Sequence, residues 1–401
     1  MSIEVGDAER LIAERMPRFG AGPLPLAACV GAVLAEEIRA ERDHPPFDRV
    51  TMDGIALRHA DWAAGTRTFR VVATQAAGAP AGVLAGTNEC IEVMTGTVLP
   101  GGADAVVPVE RLERQGALAT IAVDYRVTPG QFVHRQGSDR PAGSTLLTPG
   151  LVIGPPEVAV LASAGRHTVQ VAAVPRVAVI STGDELVDVD APTVLPQQIR
   201  SSNDWALEAA LLRHRLATVT RARLADDEGE LLAAIAELHA SHDVLLLSGG
   251  VSMGQFDFVP GVLAALGAEL VFHKIEQRPG RPMWFGTSRD GKPIFALPGN
   301  PVSTLVCATR YVLPALRAAL GLDAAPPEWA ALAAPVELGA NLTYFLPVKL
   351  VSGAPGVARA EPRPTNTSGD FLSLAGTDGF VELPRGPRLY PEGALARLFR
   401  W

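Results

Sequence analysis

Cysteine is scarce in this chain of 401 residues: only Cys29, Cys90 and Cys307, far apart and odd in number. That excludes a disulfide framework and a CxxC-type metal site, and a reducing cytoplasmic compartment is the expectation. No apolar run reaches the roughly 18 residues a membrane span needs. The opening residues lack a basic stretch followed by an apolar core, so no signal peptide is expected. HExxH, G-x-S-x-G and Walker patterns are all missing. A histidine-held metal and nucleophilic catalysis are therefore not expected. Positive charge is in deficit, 35 Lys and Arg against 43 Asp and Glu, for a net charge of −8. That balance weighs against nucleic acid as a partner.

What is present is globular: 48% hydrophobic and 19% charged residues, enough for a large core and roughly two to four domains. Three short apolar runs each end in a glycine-bearing turn. Arg176–Ser181 leads into Thr182-Gly183-Asp184-Glu185, Asp243–Leu247 into Ser248-Gly249-Gly250-Val251-Ser252, and Ile294–Leu297 into Pro298-Gly299-Asn300-Pro301. Apolar runs without polar alternation suit strands buried on both faces of a parallel sheet. Helical patterns between them give a βαβαβ unit, whose ligands bind beyond the carboxyl ends of the strands.

The rest of the chain divides around that unit. Residues 4–16 and 26–40 read as helices, and Val50–Arg58 reads as a turn carrying Asp53. Short β-like runs at 69–73, 90–94, 105–109 and 118–127 indicate a small β-rich domain. Residues 142–171 resume an α/β pattern that returns to the first 43. The partition is a discontinuous α/β domain at 1–43 and 139–173, a β-rich domain at 44–138, a central α/β domain at 174–322, and a β-barrel domain at 328–401 with strands at 334–338, 343–351, 380–383 and 394–398.

Each turn also has a plain structural reading. Asp184 and Glu185 face the crevice or cap a helix. Asp227, three residues before Glu230, makes a capping box, which leaves Asp226 for another role. Ser248, Gly249 and Gly250 form an anion nest for phosphate, with Asp257 nearby to hold Mg²⁺, or an ordinary βα turn. Lys274, Arg278 and Arg281 surround a Pro-Gly turn and meet an anionic substrate, or simply solvent. Asn300 and Pro301 suit the N-cap and first position of an apolar helix over 301–318.

In this order and spacing, STGDEL, the Asp-Asp pair, SGGVSMGQFD, the basic PGRP turn and LPGNPVS resemble the MoeA family, the molybdopterin molybdenumtransferases, which is similar also to the gephyrin E domain. PPFDRVTMDGIALR, VMTGTVLPGGADAVVPVE, HRQGSDRPAG and TSGDFLSLAGTDGFVELP extend the resemblance over nearly the whole chain. It implies a cytoplasmic homodimer that takes adenylylated molybdopterin and molybdate, releases AMP in a Mg²⁺-dependent step, and leaves molybdenum on the dithiolene. It also implies a site formed between the central domain of one subunit and the second domain of the other. Glu185, Asp226 and Asp257 match the acids assigned to Mg²⁺. Asp53, Thr95 and Asp139 match polar residues outside the central domain. Lys274 matches a substrate lysine, Pro298 and Pro301 a turn beside pterin and molybdate, and Ser368 a serine near the oxyanion. Arg278 and Arg281 stand where lysines are usual, Pro347 and His134 where arginines are, and Val50 and Ile55 where a serine and a tyrosine flank the acid. These departures motivate a second reading, a paralogue that binds molybdopterin or its nucleotide as a carrier or scaffold. Adenylylation of molybdopterin is a third.

Overall fold

The computed structural model describes residues 2–251, 258–352 and 358–401. The chain forms two compact units, one of residues 1–35, 149–154 and 168–401, the other of residues 36–148 and 155–167. No helix among the described residues is long and apolar enough to cross a membrane.

The smaller unit is built on a six-stranded sheet. Its spatial order is Ala105–Pro108, Gly54–Leu57, Glu89–Val93, Thr68–Gln75, Leu118–Ile121 and Leu112–Gln115. All neighbours are antiparallel except Glu89–Val93 with Thr68–Gln75. Gly54–Leu57 was expected as part of a turn. It is instead a fully buried strand next to the edge strand Ala105–Pro108, too short an apolar run to register between Asp53 and Arg58.

In the larger unit, Val5, Ala8 and Ile12 bury one stripe of a helix over Val5–Arg15, as helical spacing requires. Residues 26–40 do not form the expected helix. Leu26–Ala28 makes a single 3-10 turn, and Gly31 then adopts φ +82°. Beyond it, Leu34 and Ala35 donate their amides to Leu151 and Gln170 across an extended path. The i, i+3, i+4 spacing of Val30, Val33 and Leu34 therefore reflects no helix. Upstream, Ala21–Pro25 pairs antiparallel with Thr168–Ala172.

The central sheet begins with β1 (Arg176–Thr182), followed by α1 (Asn203–Arg213), β2 (Thr218–Leu224), α2 (Glu228–Ser241) and β3 (Val244–Ser248). Then come α3 (Val259–Ala265), β4 (Glu269–His273), β5 (Trp284–Thr287), β6 (Pro293–Leu297) and α4 (Pro301–Cys307). Spatial order is β2-β1-β3-β6-β5-β4. The first four run parallel, and β5 and β4 are added antiparallel. The sheet is thus mixed rather than wholly parallel. Strands β1, β3 and β6 are buried nearly throughout, and helices cover both faces through two separate apolar clusters. Asp227 caps α2 by accepting from the Glu230 amide at 2.9 Å.

The helix expected over 301–318 is one continuous path, but a π-helical stretch over Ala308–Val312 separates α4 from α5 (Leu313–Ala319). Next comes a closed five-stranded barrel, as expected, made of β7 (Glu328–Leu332), β8 (Thr343–Ser352), β9 (Ala358–Pro362), β10 (Gly379–Leu383) and β11 (Leu395–Arg400), whereas the strand expected at 334–338 is only Val336–Glu337, paired outside the barrel with Leu389–Tyr390. Its order is β8-β9-β7-β11-β10, closed by β10 against β8. One edge of β8 first bonds the short strand Gln277–Arg278 and only later β9. That change of partner places the basic turn of the central fold against the barrel.

Candidate functional site

The carboxyl ends of β1, β2, β3 and β6 bring the special turns to one sheet edge. The β1 and β3 turns meet most closely. Gly249 has φ +103°, and a Cβ there would lie 2.5 Å from the Thr182 carbonyl oxygen. Gly250, at φ +64°, lies so that a Cβ would stand 3.0 Å from Thr182 Oγ1. Only glycine satisfies both the left-handed backbone and the spacing. Ser248 is buried, and its Oγ accepts from Asn203 Nδ2 at 2.8 Å. The same amide donates to the Gly299 carbonyl at 2.8 Å, tying the β3 and β6 turns together. Asn203 was not singled out from sequence, because an asparagine opening a helix reads simply as a cap. Thr182 Oγ1 and Ser181 Oγ are buried beneath this edge without a hydrogen-bond partner among the described residues.

The acids at this edge are distributed differently. Asp184 accepts from the Asp226 amide at 3.0 Å and so fixes the β2 turn. Glu185 is exposed, with its carboxylate turned back over Gly183. Asp226 is half-buried. Asp257 lies outside the described residues. Among those described, no three His, Cys, Asp or Glu side chains stand close enough to hold a metal ion.

A second concave feature, a cavity of about 330 Å³, opens where β8 changes partners. Its walls bring together Arg278, Arg281, Pro298, Pro347 and Ser368, with Asn300, Thr365 and Thr367 beside them. Both arginines are exposed. Arg281 reaches Glu276 at 3.4 Å. Asn300 occupies the N-cap of α4, but its side chain does not cap the helix. It donates instead to Ser368 Oγ at 2.8 Å, while the Ser368 carbonyl accepts from the Val302 amide at 3.0 Å. Pro301, at the first helical position, is half-buried beside this link. Lys274 precedes the turn at φ +80°, a strained conformation for a residue with a side chain.

Asp53, Thr95 and Asp139 stand in the smaller unit. Asp53 Oδ1 accepts from the Thr95 hydroxyl at 2.7 Å and the Thr95 amide at 2.6 Å. These bonds hold its carboxyl below the ordinary range. His134 Nε2 lies 2.9 Å from Asp139 Oδ1, and its Nδ1 lies 3.1 Å from Arg49 Nη2. Since the guanidinium can only donate, Nδ1 accepts and Nε2 donates to Asp139.

With this geometry in view, three family models match in order along the chain. They are the MoeA N-terminal region (domain I and II) over residues 3–165, the probable molybdopterin binding domain over 178–318, and the MoeA C-terminal region (domain IV) over 330–397. A protein named molybdopterin molybdenumtransferase from Synechocystis is 38% identical over 400 residues, covering 100% of both chains. Another of that name from Nostoc is 32% identical over 379 residues, covering 92% of this chain and 86% of the relative. The crystal structure of a molybdopterin biosynthesis MoeA protein from Pyrococcus horikoshii superposes with a TM-score of 0.85 at 31% identity, covering 100% of this chain and 99% of that one. From end to end, in sequence and in fold, the chain belongs to the MoeA family.

Proposed function

We propose that this protein is a transferase of molybdenum cofactor biosynthesis, one that takes adenylylated molybdopterin and molybdate, releases AMP and leaves molybdenum on the dithiolene. The observation that carries this reading is the cavity where Arg278, Arg281 and Ser368 converge beside the sheet edge. Guanidinium groups offer paired N–H donors matched to tetrahedral oxyanions, so Arg278 and Arg281 neutralise molybdate and Ser368 orients one of its oxygens. Ser248, Gly249 and Gly250 cradle the phosphate through backbone N–H groups. Lys274 offsets the remaining phosphate charge, while Pro298 and Pro301 shape the turn beside pterin and oxyanion. Asp53, Thr95 and Asp139 are assigned to the same reaction as its polar groups from the smaller unit.

Glu185 and Asp226, with Asp257, carry the hard oxygen donors that Mg²⁺ prefers. An ion held there would shield the charge of the pyrophosphate link as it breaks. The four-part domain division and a homodimer belong to the same reading.

AMP release from adenylylated molybdopterin, measured with Mg²⁺ present and with or without molybdate, tests it. Release that rises with molybdate is expected. A protein that binds the pterin nucleotide but releases no AMP would be the carrier instead, the reading favoured by a buried Pro347 in the cavity wall.

A further inference from the structure

Beneath the basic turn lies a chain of buried polar groups. Gln277 is completely buried, Cys307 likewise, and Tyr311 is 2% exposed. Tyr311 is brought there by the π-helical stretch, which also buries Arg310 between Glu9 at 2.8 Å and Glu382 at 3.1 Å. An arginine flanked by two carboxylates from separate elements braces that stretch.

The donors in this chain all run one way. Burial pushes the Tyr311 hydroxyl well above its ordinary pKa, so it keeps its proton. It donates to Gln277 Oε1. That bond fixes which end of the amide faces Tyr311 and turns Nε2, with its two hydrogens, toward the turn. Nε2 lies 3.0 Å from the Pro279 carbonyl and 3.5 Å from Cys307 Sγ. Burial pushes the Cys307 thiol up to about 12, so it too keeps its proton and donates to the Gly280 carbonyl at 3.6 Å. Both carbonyls belong to the turn that presents Arg278 and Arg281. Gly280, at φ +89°, seats directly on this group, since a Cβ there would collide with Cys307 Sγ and Gln277 Nε2.

We infer that Gln277 and Tyr311 are positioning residues that hold the Arg278–Arg281 turn in the geometry that receives the oxyanion. The inference rests on reading the adjoining cavity as the molybdate site. Neither residue needs to touch the substrate. Gln277 acts by bonding the Pro279 carbonyl and Cys307, which in turn bonds the Gly280 carbonyl, and Tyr311 acts by fixing the Gln277 amide, so that the turn holds its two guanidinium groups at the cavity.

The test uses the full chain with Tyr311→Phe, which keeps the ring and removes the donor, and Gln277→Met, which keeps the length and removes both polar ends. Leu231→Ala, in the separate apolar cluster under α2, serves as a destabilised control. Amide exchange across residues 274–283 and the affinity for molybdate alone, by calorimetry, are the two readouts. Leaving a buried polar partner unsatisfied predicts exchange about tenfold faster and molybdate affinity about tenfold weaker in either variant. The control should move neither. In a background lacking both guanidinium groups, Arg278→Ala with Arg281→Ala, Tyr311→Phe should weaken molybdate binding no further, because it acts through the turn that carries them. Wild-type exchange across 274–283 in both variants would overturn the inference, and so would an additive loss when Tyr311→Phe is added to that background. If the wild type binds no molybdate, the proposed function fails, and the exchange measurement still decides whether the turn is held this way.

Discussion

The glycine turn after β3 and the basic turn at 278–282 lie on the same unit, and they are kept in shape by different balances of steric exclusion and hydrogen bonding. At the first, close approach dominates: Gly249 and Gly250 sit where a Cβ would strike Thr182, Asn203 ties Ser248 to the Gly299 carbonyl, and two hydroxyls below have no partner among the described residues. At the second, a tyrosine, a glutamine and a cysteine supply hydrogen bonds from below. Exclusion fixes where a turn can lie, while hydrogen bonding also fixes the orientation of the groups it presents.

Substitutions can break this comparison. The largest effect is expected from Gly249→Ala, which combines a left-handed backbone with a contact to the Thr182 carbonyl. A stability loss of about 2–4 kcal/mol in urea unfolding follows from strain and overpacking together. A loss under about 1 kcal/mol would show that the β1 and β3 turns separate easily. Thr182→Val should go the other way, gaining about 0.5–1 kcal/mol, because it removes a buried hydroxyl that has no partner among the described residues. A clear loss in the same measurement would mean that the Thr182 hydroxyl is itself hydrogen-bonded.

The smallest effect concerns the smaller unit, where Asp53 is exposed but hydrogen-bonded by Thr95. Its carboxyl is held below the ordinary range, so the folded state binds its proton less readily than the unfolded chain. The resulting stabilisation is fully present above the unfolded pKa and is lost as pH falls through the folded one. Thr95→Val removes the hydroxyl and should move the Asp53 titration back toward the ordinary value, read by NMR. An unmoved titration would leave the Thr95 amide as the sole cause.

Much of the central fold was legible because β1, β3 and β6 are buried on both faces and read as unbroken apolar runs. Strand β2 was not, since its edge position gives Thr218–Leu224 mixed exposure and two arginines. Residues 26–40 misled because apolar spacing alone cannot register the positive φ at Gly31. At the site, glycines and charges announced themselves, and Asp227 declared its cap three residues ahead of Glu230. Gln277 and Tyr311 did not: both are uncharged, 34 positions apart, and meet only because a π turn carries the tyrosine inward. Asn203 was hidden for a related reason, its amide bridging two turns that sequence keeps far apart.

The short strand Gln277–Arg278 has a further consequence. By sequence it belongs to the segment that matches the molybdopterin-binding model, and by hydrogen bonding it belongs to the barrel, through Thr343 and Tyr344. The two segments therefore share a seam that carries a cavity-lining arginine, Arg278. A fragment ending at residue 318 would lose one bank of that seam, and a chimera with a relative's barrel would inherit a different one. A change in how Thr343 and Tyr344 pair would therefore be felt as a change in the backbone that carries Arg278.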